Sequence, residues 1–246
     1  MKNFNFLWLL LCASSCNLAG KIVLNRAGIL EKKVTIEKVT NLNKTIVFIK
    51  MHYVGAPDFY KDVKAKVDSL HSEGYMFLYE GVTINAQSDS LEIDTIKRKY
   101  RKLFGFGLSN KGYLDTTDYS IMGNKLAILK KLINQPKYEQ LGIDTTVDKL
   151  EDLSANQLIN IYEEKFGAIL LLQCDMFTSF SEKYECAKPD ENAKELLVKN
   201  ARNENLTKAI KKESAIKIGI IYGSDHIEEI IKNLIIIRLN KSLFKR

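Results

Sequence analysis

The chain has 246 residues, 46% of them hydrophobic, and its 37 Lys and Arg against 30 Asp and Glu give a formal charge of +7. That is enough apolar sequence for one sizeable core, and with three prolines and no low-complexity stretch it contains no interdomain linker or solenoid repeat. Basic and acidic residues are interleaved and no recognition motif occurs, so nucleic acid is excluded as an expected partner.

Residues 6–12 (FLWLLLC) form a short apolar stretch behind Lys2 and ahead of Ala13-Ser14-Ser15-Cys16. The stretch is too short to span a bilayer and has the layout of a cleaved signal peptide. Small residues running into Cys16 resemble a bacterial lipobox, in which Cys16 is lipidated and becomes the mature N-terminus. An ordinary signal peptide cut near Ala19 is the alternative. The reading adopted is a lipoprotein signal peptide over 1–15 and an α/β domain over 16–246, carried on the cell envelope. Asn17 favours the outer membrane, facing the periplasm. Removal of 1–15 takes away only Lys2, so the mature charge is +7 − 1 = +6.

Residues 34–39 (VTIEKV) alternate in polarity and are expected to pair with 45–51 (TIVFIKM) through a turn at Asn41-Leu42-Asn43. A helix is expected over 57–72: Pro57 suits its first turn, Phe59, Tyr60, Val63, Val67 and Leu70 form its apolar stripe, and Gly74 ends it. His71, at the polar end of that helix, reads as solvated. Residues 75–79 (YMFLY) make the next strand, ending at Glu80. A helix over about 91–103 then stops at Gly105-Phe106-Gly107, which ends a helix and lacks a following lysine, so it is not a phosphate loop. Within that helix Lys97-Arg98-Lys99-Tyr100-Arg101-Lys102 is the one dense basic run, read as a solvated face, with an anionic membrane surface or a peptide as alternative partner. Further helices cover about 121–133, 154–166 and 191–212, with Asp190 placed to cap the last. The strand 216–222 (IKIGIIY) leads into Gly223-Ser224-Asp225-His226.

Helices after the first two buried strands favour parallel pairing. The fold class is therefore α/β: a mixed, largely parallel sheet flanked by helices, with a helical insertion in the middle third, about 88–189. Cys12 and Cys16 belong to the signal. Cys174 and Cys186 remain, and an oxidising compartment lets them form a disulfide that stabilises by roughly 3 kcal/mol in the loop-entropy model.

The chain has only three histidines, and two of them, with one glutamate, fall just past buried strands: His52, Glu80 and His226. Ligands of open α/β sheets bind outside the carboxyl ends of the strands, so these residues point to one site. Arg202 lies ten residues before the end of its helix, about 15 Å back along the axis. The strand that follows rises about 20 Å, so Arg202 is level with its upper part and within reach. Asp225 is a candidate either to orient His226 or to cap a helix. The plainer alternatives are a buried His52 bonded to backbone and a Glu80 that simply pairs with Arg202. No Gly-x-Ser-x-Gly elbow and no His-Glu-x-x-His helix occurs.

The order Ile49-Lys50-Met51-His52, Tyr60-Lys61-Asp62-Val63, Glu80-Gly81-Val82, Arg202-Asn203 and Gly223-Ser224-Asp225-His226 resembles the TraB/GumN family. The pheromone-shutdown proteins and the TIKI metalloproteases belong to that family. Gln135, Ile143-Asp144 and Lys149-Leu150 resemble its central segment, and the likeness spans about 44–234. Ile49 stands where the first Gly-x-x-His motif has glycine. The resemblance implies a metal-dependent, peptidase-like hydrolase acting on a peptide or protein. His52, Glu80 and His226 would be its ligands for a divalent Mn, Co or Zn ion, and Glu80 and Arg202 its catalytic groups, with Arg202 stabilising an oxyanion. The alternative it leaves open is a non-catalytic periplasmic lipoprotein that binds a peptide, haem or metal in the same crevice.

Overall fold

In the computed structural model the described residues are 28–41, 43–85, 89–108, 114 and 132–243, with side chains described as far as 235. Cys16, the signal peptide and nearly all of the expected helix over 121–133 lie outside them. Ile133, its last residue, belongs to a strand.

The hairpin forms as its pattern requires. Strands β1 (Ile36–Asn41) and β2 (Lys44–Met51) pair antiparallel, and Asn43 takes the left-handed conformation (φ 64°) that an asparagine tolerates in a tight turn. β1 starts two residues later than the alternation suggests. Val34 is instead buried in the core, and its N–H donates to Asp62 Oδ2 at 2.9 Å.

Helix α1 (Pro57–Ser72) carries the chain from the short β3 (Val54–Gly55) to β4 (Met76–Tyr79). α2 (Ser90–Phe104) is capped by the Asp89 carboxylate and stopped by Gly105 at φ 77°. β5 (Ile133–Asn134) pairs antiparallel with β3 in a two-stranded ribbon. A 3₁₀ turn (Tyr138–Leu141) leads to β6 (Lys149–Leu150). α3 (Ala155–Phe166) opens with a Ser154–Gln157 capping box, and the one-turn α4 (Gln173–Phe177) follows. A continuous helix then runs through α5 (Glu191–Ala193), a π-helical stretch (Lys194–Ala201) and α6 (Arg202–Lys212). β7 (Lys217–Gly223) passes directly into α7 (Ser224–Leu243).

The main sheet has five strands in the order β1-β2-β7-β4-β6, all parallel except the β1 edge. The expected middle-third insertion is therefore not purely helical: β6, inside it, joins the sheet. One sheet face, with Val47, Ile49, Met51, Phe77 and Ile221, packs on the α1 stripe. The other, with Ile46, Phe48, Leu78, Ile218 and Ile220, packs on α6 and α7. Burial on both faces explains why β2 and β7 read as nearly unbroken apolar runs. Ile49 is fully buried against α1, so this position carries core packing. A third cluster joins α2, α3 and the π-helical stretch through Tyr100, Leu103, Leu158 and Leu197.

Two further expectations are corrected. His71 is not solvated: its Nε2 lies 3.0 Å from the fully buried Asp148 carboxylate, which also accepts from the backbone N–H groups of Phe77 and Asp144. The basic run of α2 is not a free cationic face. Lys99 pairs with Glu163, Lys102 with Asp175, and Arg98 and Arg101 donate to backbone carbonyls of residues 175–179. Tertiary acceptors are invisible to a reading of helix pattern alone. Asp190 does cap the helix at 191, accepting from the N–H groups of Asn192 and Ala193.

Cys174 and Cys186 are bridged, with Cα atoms 5.7 Å apart. Gly219, in the middle of β7, lies under the Phe77 ring; a Cβ there would meet Phe77 Cε1 at 2.2 Å. Gly219→Ala is expected to cost about 1–3 kcal/mol through overpacking. It should lower the urea midpoint with little change in slope, and adding Phe77→Leu should return part of the loss.

Candidate functional site at the carboxyl end of the sheet

The helices that follow β2 and β7 lie on opposite faces of the sheet: α1 packs on one and α7 on the other. These strands are neighbours, with Met51 opposite Gly223, so the winding reverses between them, the point at which open α/β sheets bind ligands beyond the carboxyl ends of their strands. Tyr53, Glu80, Asp152, Arg202 and His226 meet there.

Glu80 is the hub and is buried. Its Oε1 accepts from Arg202 Nη2 at 2.5 Å and from the Tyr53 hydroxyl, and its Oε2 accepts from the Gly223 N–H at 2.6 Å. Gly223 fits because a Cβ would sit 3.2 Å from the Tyr53 hydroxyl and 3.3 Å from Glu80 Oε2. Arg202 comes from the first turn of α6, directly after the π-helical stretch. Such wide turns recur at functional sites. Its Nε and Nη2 donate to the two oxygens of Asp152 at 2.8 and 2.5 Å. Burial works against the charge of Arg202, but the hydrogen bonds to Asp152 and the charges of Glu80 and Asp152 outweigh it and hold the guanidinium firmly protonated. The formal charges of the three groups sum to +1 − 2 = −1.

His226 is buried beside this triad, edge-on to the Tyr222 ring. Its Nδ1 is 2.7 Å from Asn203 Oδ1 and its Nε2 is 3.8 Å from Glu80 Oε1. Asn203 Nδ2 donates to Glu229 Oε2 at 3.0 Å, which turns the amide oxygen toward the imidazole. An amide oxygen can only accept, so the neutral ring carries its proton on Nδ1 and leaves the Nε2 lone pair on the Glu80 side. Burial lowers the pKa of His226, and Arg202 lowers it further, against the opposing pull of Glu80, Asp152 and Asp225. His226 is thus a neutral base at neutral pH.

His52 stands at the same end of the sheet but in other company. Its ring packs on Phe59 at 5.1 Å, Gly28 crosses over its Nε2, and the charges of Glu31 and Asp225 act on it. Burial lowers its pKa, with Glu31 and Asp225 partly offsetting that. The expected trio is therefore only partly assembled: Glu80 and His226 meet with Arg202, and His52 flanks them.

The implied metal can be tested on these donors. Both Glu80 oxygens are already engaged, and the guanidinium at Oε1 stands where a coordinated cation would have to be, so a second cation would meet like-charge repulsion. Among the described residues no group of three or more His, Cys, Asp or Glu side chains is placed to hold a metal ion. The residues present do not fit a divalent ion shared by His52, Glu80 and His226. Arg202, committed to two carboxylates, is likewise a positioning group for Glu80 and not a free oxyanion donor.

Sequence reasoning missed Asp152, Tyr53, Glu229 and the part played by Asn203. Asp152 follows β6 much as Glu80 follows β4, so the strand-end rule would have found it had 149–150 been read as a strand. Glu229 is three residues after His226 and shares its helical face. Asp225 does not orient His226 by hydrogen bonding; Asn203 does.

No family model matches the chain, and neither the curated proteins nor the solved structures contain a match to it.

Arg202→Met should cost about 3–5 kcal/mol at neutral pH, because Glu80 and Asp152 would be left as buried, uncompensated charges. The deficit should shrink as pH falls from about 7 toward about 4 and the orphaned carboxylates take up protons. Urea unfolding at the two pH values measures both effects.

Proposed function

We propose that the crevice is a hydrolytic site in which His226 acts as general base on water, with no resident metal. The observation that carries this reading is the imidazole held neutral by burial, with its tautomer set by Asn203 and its free Nε2 beside a carboxylate. Nε2 would take a proton from a water as its oxygen bonds to the acyl carbon of a peptide, and would return that proton to the amine nitrogen as the C–N bond breaks, leaving a carboxylic acid and an amine with the imidazole neutral again. The imidazolium formed in between is favoured by Glu80, 3.8 Å away, within a cluster of net charge −1. Arg202 holds the Glu80 carboxylate in place. Tyr53, 37% exposed and bonded to Glu80, covers the site and must turn aside to admit substrate. A peptide or protein substrate, and anchorage in the cell envelope through a lipidated Cys16, are supported by the sequence patterns and by the family resemblance. Capture of a ligand without turnover is the competing reading. It is favoured by the closed hydrogen bonding around Glu80.

A mixed peptide library, incubated with the purified protein in the presence of a chelator, tests the proposal. Cleavage should survive the chelator and fall by about 10²–10⁴ in His226→Ala, the range for losing a general acid–base group. The depressed pKa of His226 puts the acid limb of kcat/KM below the ordinary histidine value of about 6.5, with activity lost as pH falls. Ligand retention without cleavage would favour the binding reading, and cleavage restored only by Mn, Co or Zn would return the chemistry to a metal.

A further inference from the structure

The segment between α3 and α5 exposes apolar side chains in a way no other described part of the surface does. Leu170, Leu172 and Phe177 are 72%, 63% and 78% exposed, and Phe166, Met176 and Phe180 accompany them. Large exposed apolar patches mark interaction sites. The segment is also held rigidly from behind. Lys102 donates to the Leu170 carbonyl and to Asp175, Arg98 to the Asp175 carbonyl, and Arg101 to the carbonyls of Thr178 and Ser179. The guanidinium of Arg101 stacks on the rings of Phe180 and Tyr184, and the Cys174–Cys186 bridge closes the loop. The basic run of α2 is thus spent on fixing a loop whose apolar side chains point outward.

We infer that this segment, pinned by the disulfide at its C-terminal half, docks on the lipid surface, with Leu170, Leu172 and Phe177 entering the interfacial region. Asp175, the one acid of α4, is buried and paired with Lys102 and Tyr184, so the patch gives up no unpaired charge on leaving water. Lys165, exposed at the rim over the Phe166 ring, suits anionic headgroups. Lipid is chosen over a protein partner by the tether. Gly28, the first described residue, lies twelve positions after Cys16, a span of at most about 40 Å. A chain anchored at Cys16 cannot hold this domain far from the bilayer, and a preordered patch loses little freedom when it docks. The inference rests on the anchored reading of Cys16 and is independent of the chemistry assigned to His226.

The test uses the mature protein purified from membranes, which has lost the single tryptophan, Trp8, with its signal peptide and carries a reporter introduced as Phe177→Trp. Flotation with phosphatidylcholine–phosphatidylglycerol vesicles reports anchorage, and brominated acyl chains report depth. The expected result is a floating protein whose emission is blue-shifted and quenched by the brominated lipid. Ile216→Trp, exposed at the far end of β7, should float without quenching. A floating protein with unquenched Phe177→Trp overturns the docking and leaves the anchor standing. A protein that does not float overturns both. A blue shift that depends on protein concentration and not on lipid gives the patch to a second copy and also overturns the inference.

Discussion

One guanidinium ties the carboxyl ends of the parallel strands together. Arg202 bonds Asp152, just past β6, and Glu80, just past β4; Glu80 in turn holds the Gly223 N–H at the end of β7 and the Tyr53 hydroxyl beyond β2. Taking these charges out of water is costly, and their mutual attraction offsets that only because nearly every lone pair is met by a well-placed donor. The consequence is geometric: four strand ends and α6 cannot shift independently. His226, which needs a fixed distance to Glu80, inherits that rigidity.

The division of labour within the crevice follows from the same constraint. Arg202, saturated by two carboxylates, has no freedom to meet a developing oxyanion, and Glu80 has no spare oxygen for a metal. His226 is different. Its proton sits on the Asn203 side and its lone pair faces an anion, so it is the group whose protonation would change in the proposed hydrolysis. Asn203, held in turn by Glu229, sets this tautomer through its hydrogen bond to Nδ1.

Much of the fold was legible because it is written in local pattern: the α1 stripe, the unbroken apolar runs of β2 and β7, the Asp190 cap and the turn at Asn43. The parallel order of the strands followed from the helices between them. β6 escaped notice because two residues, Lys149-Leu150, carry no period. The inward turn of Arg98, Lys99, Arg101 and Lys102 escaped because their acceptors lie 60 to 80 residues away in sequence. At the site, Glu80, Arg202 and His226 were legible from their places at strand ends and along a helix. His52 obeyed the same rule yet turned to Phe59 and Glu31, since the rule fixes the end of the sheet and not the side-chain direction.

The most direct measurement is the protonation state of His226 by ¹⁵N-resolved NMR of the imidazole, with His226→Gln to assign the signal. The ring is expected to be neutral at about pH 7, protonated on Nδ1 and bare on Nε2, and to titrate below the ordinary histidine value of about 6.5. An imidazolium at neutral pH, or a ring protonated on Nε2, would contradict the role proposed for His226.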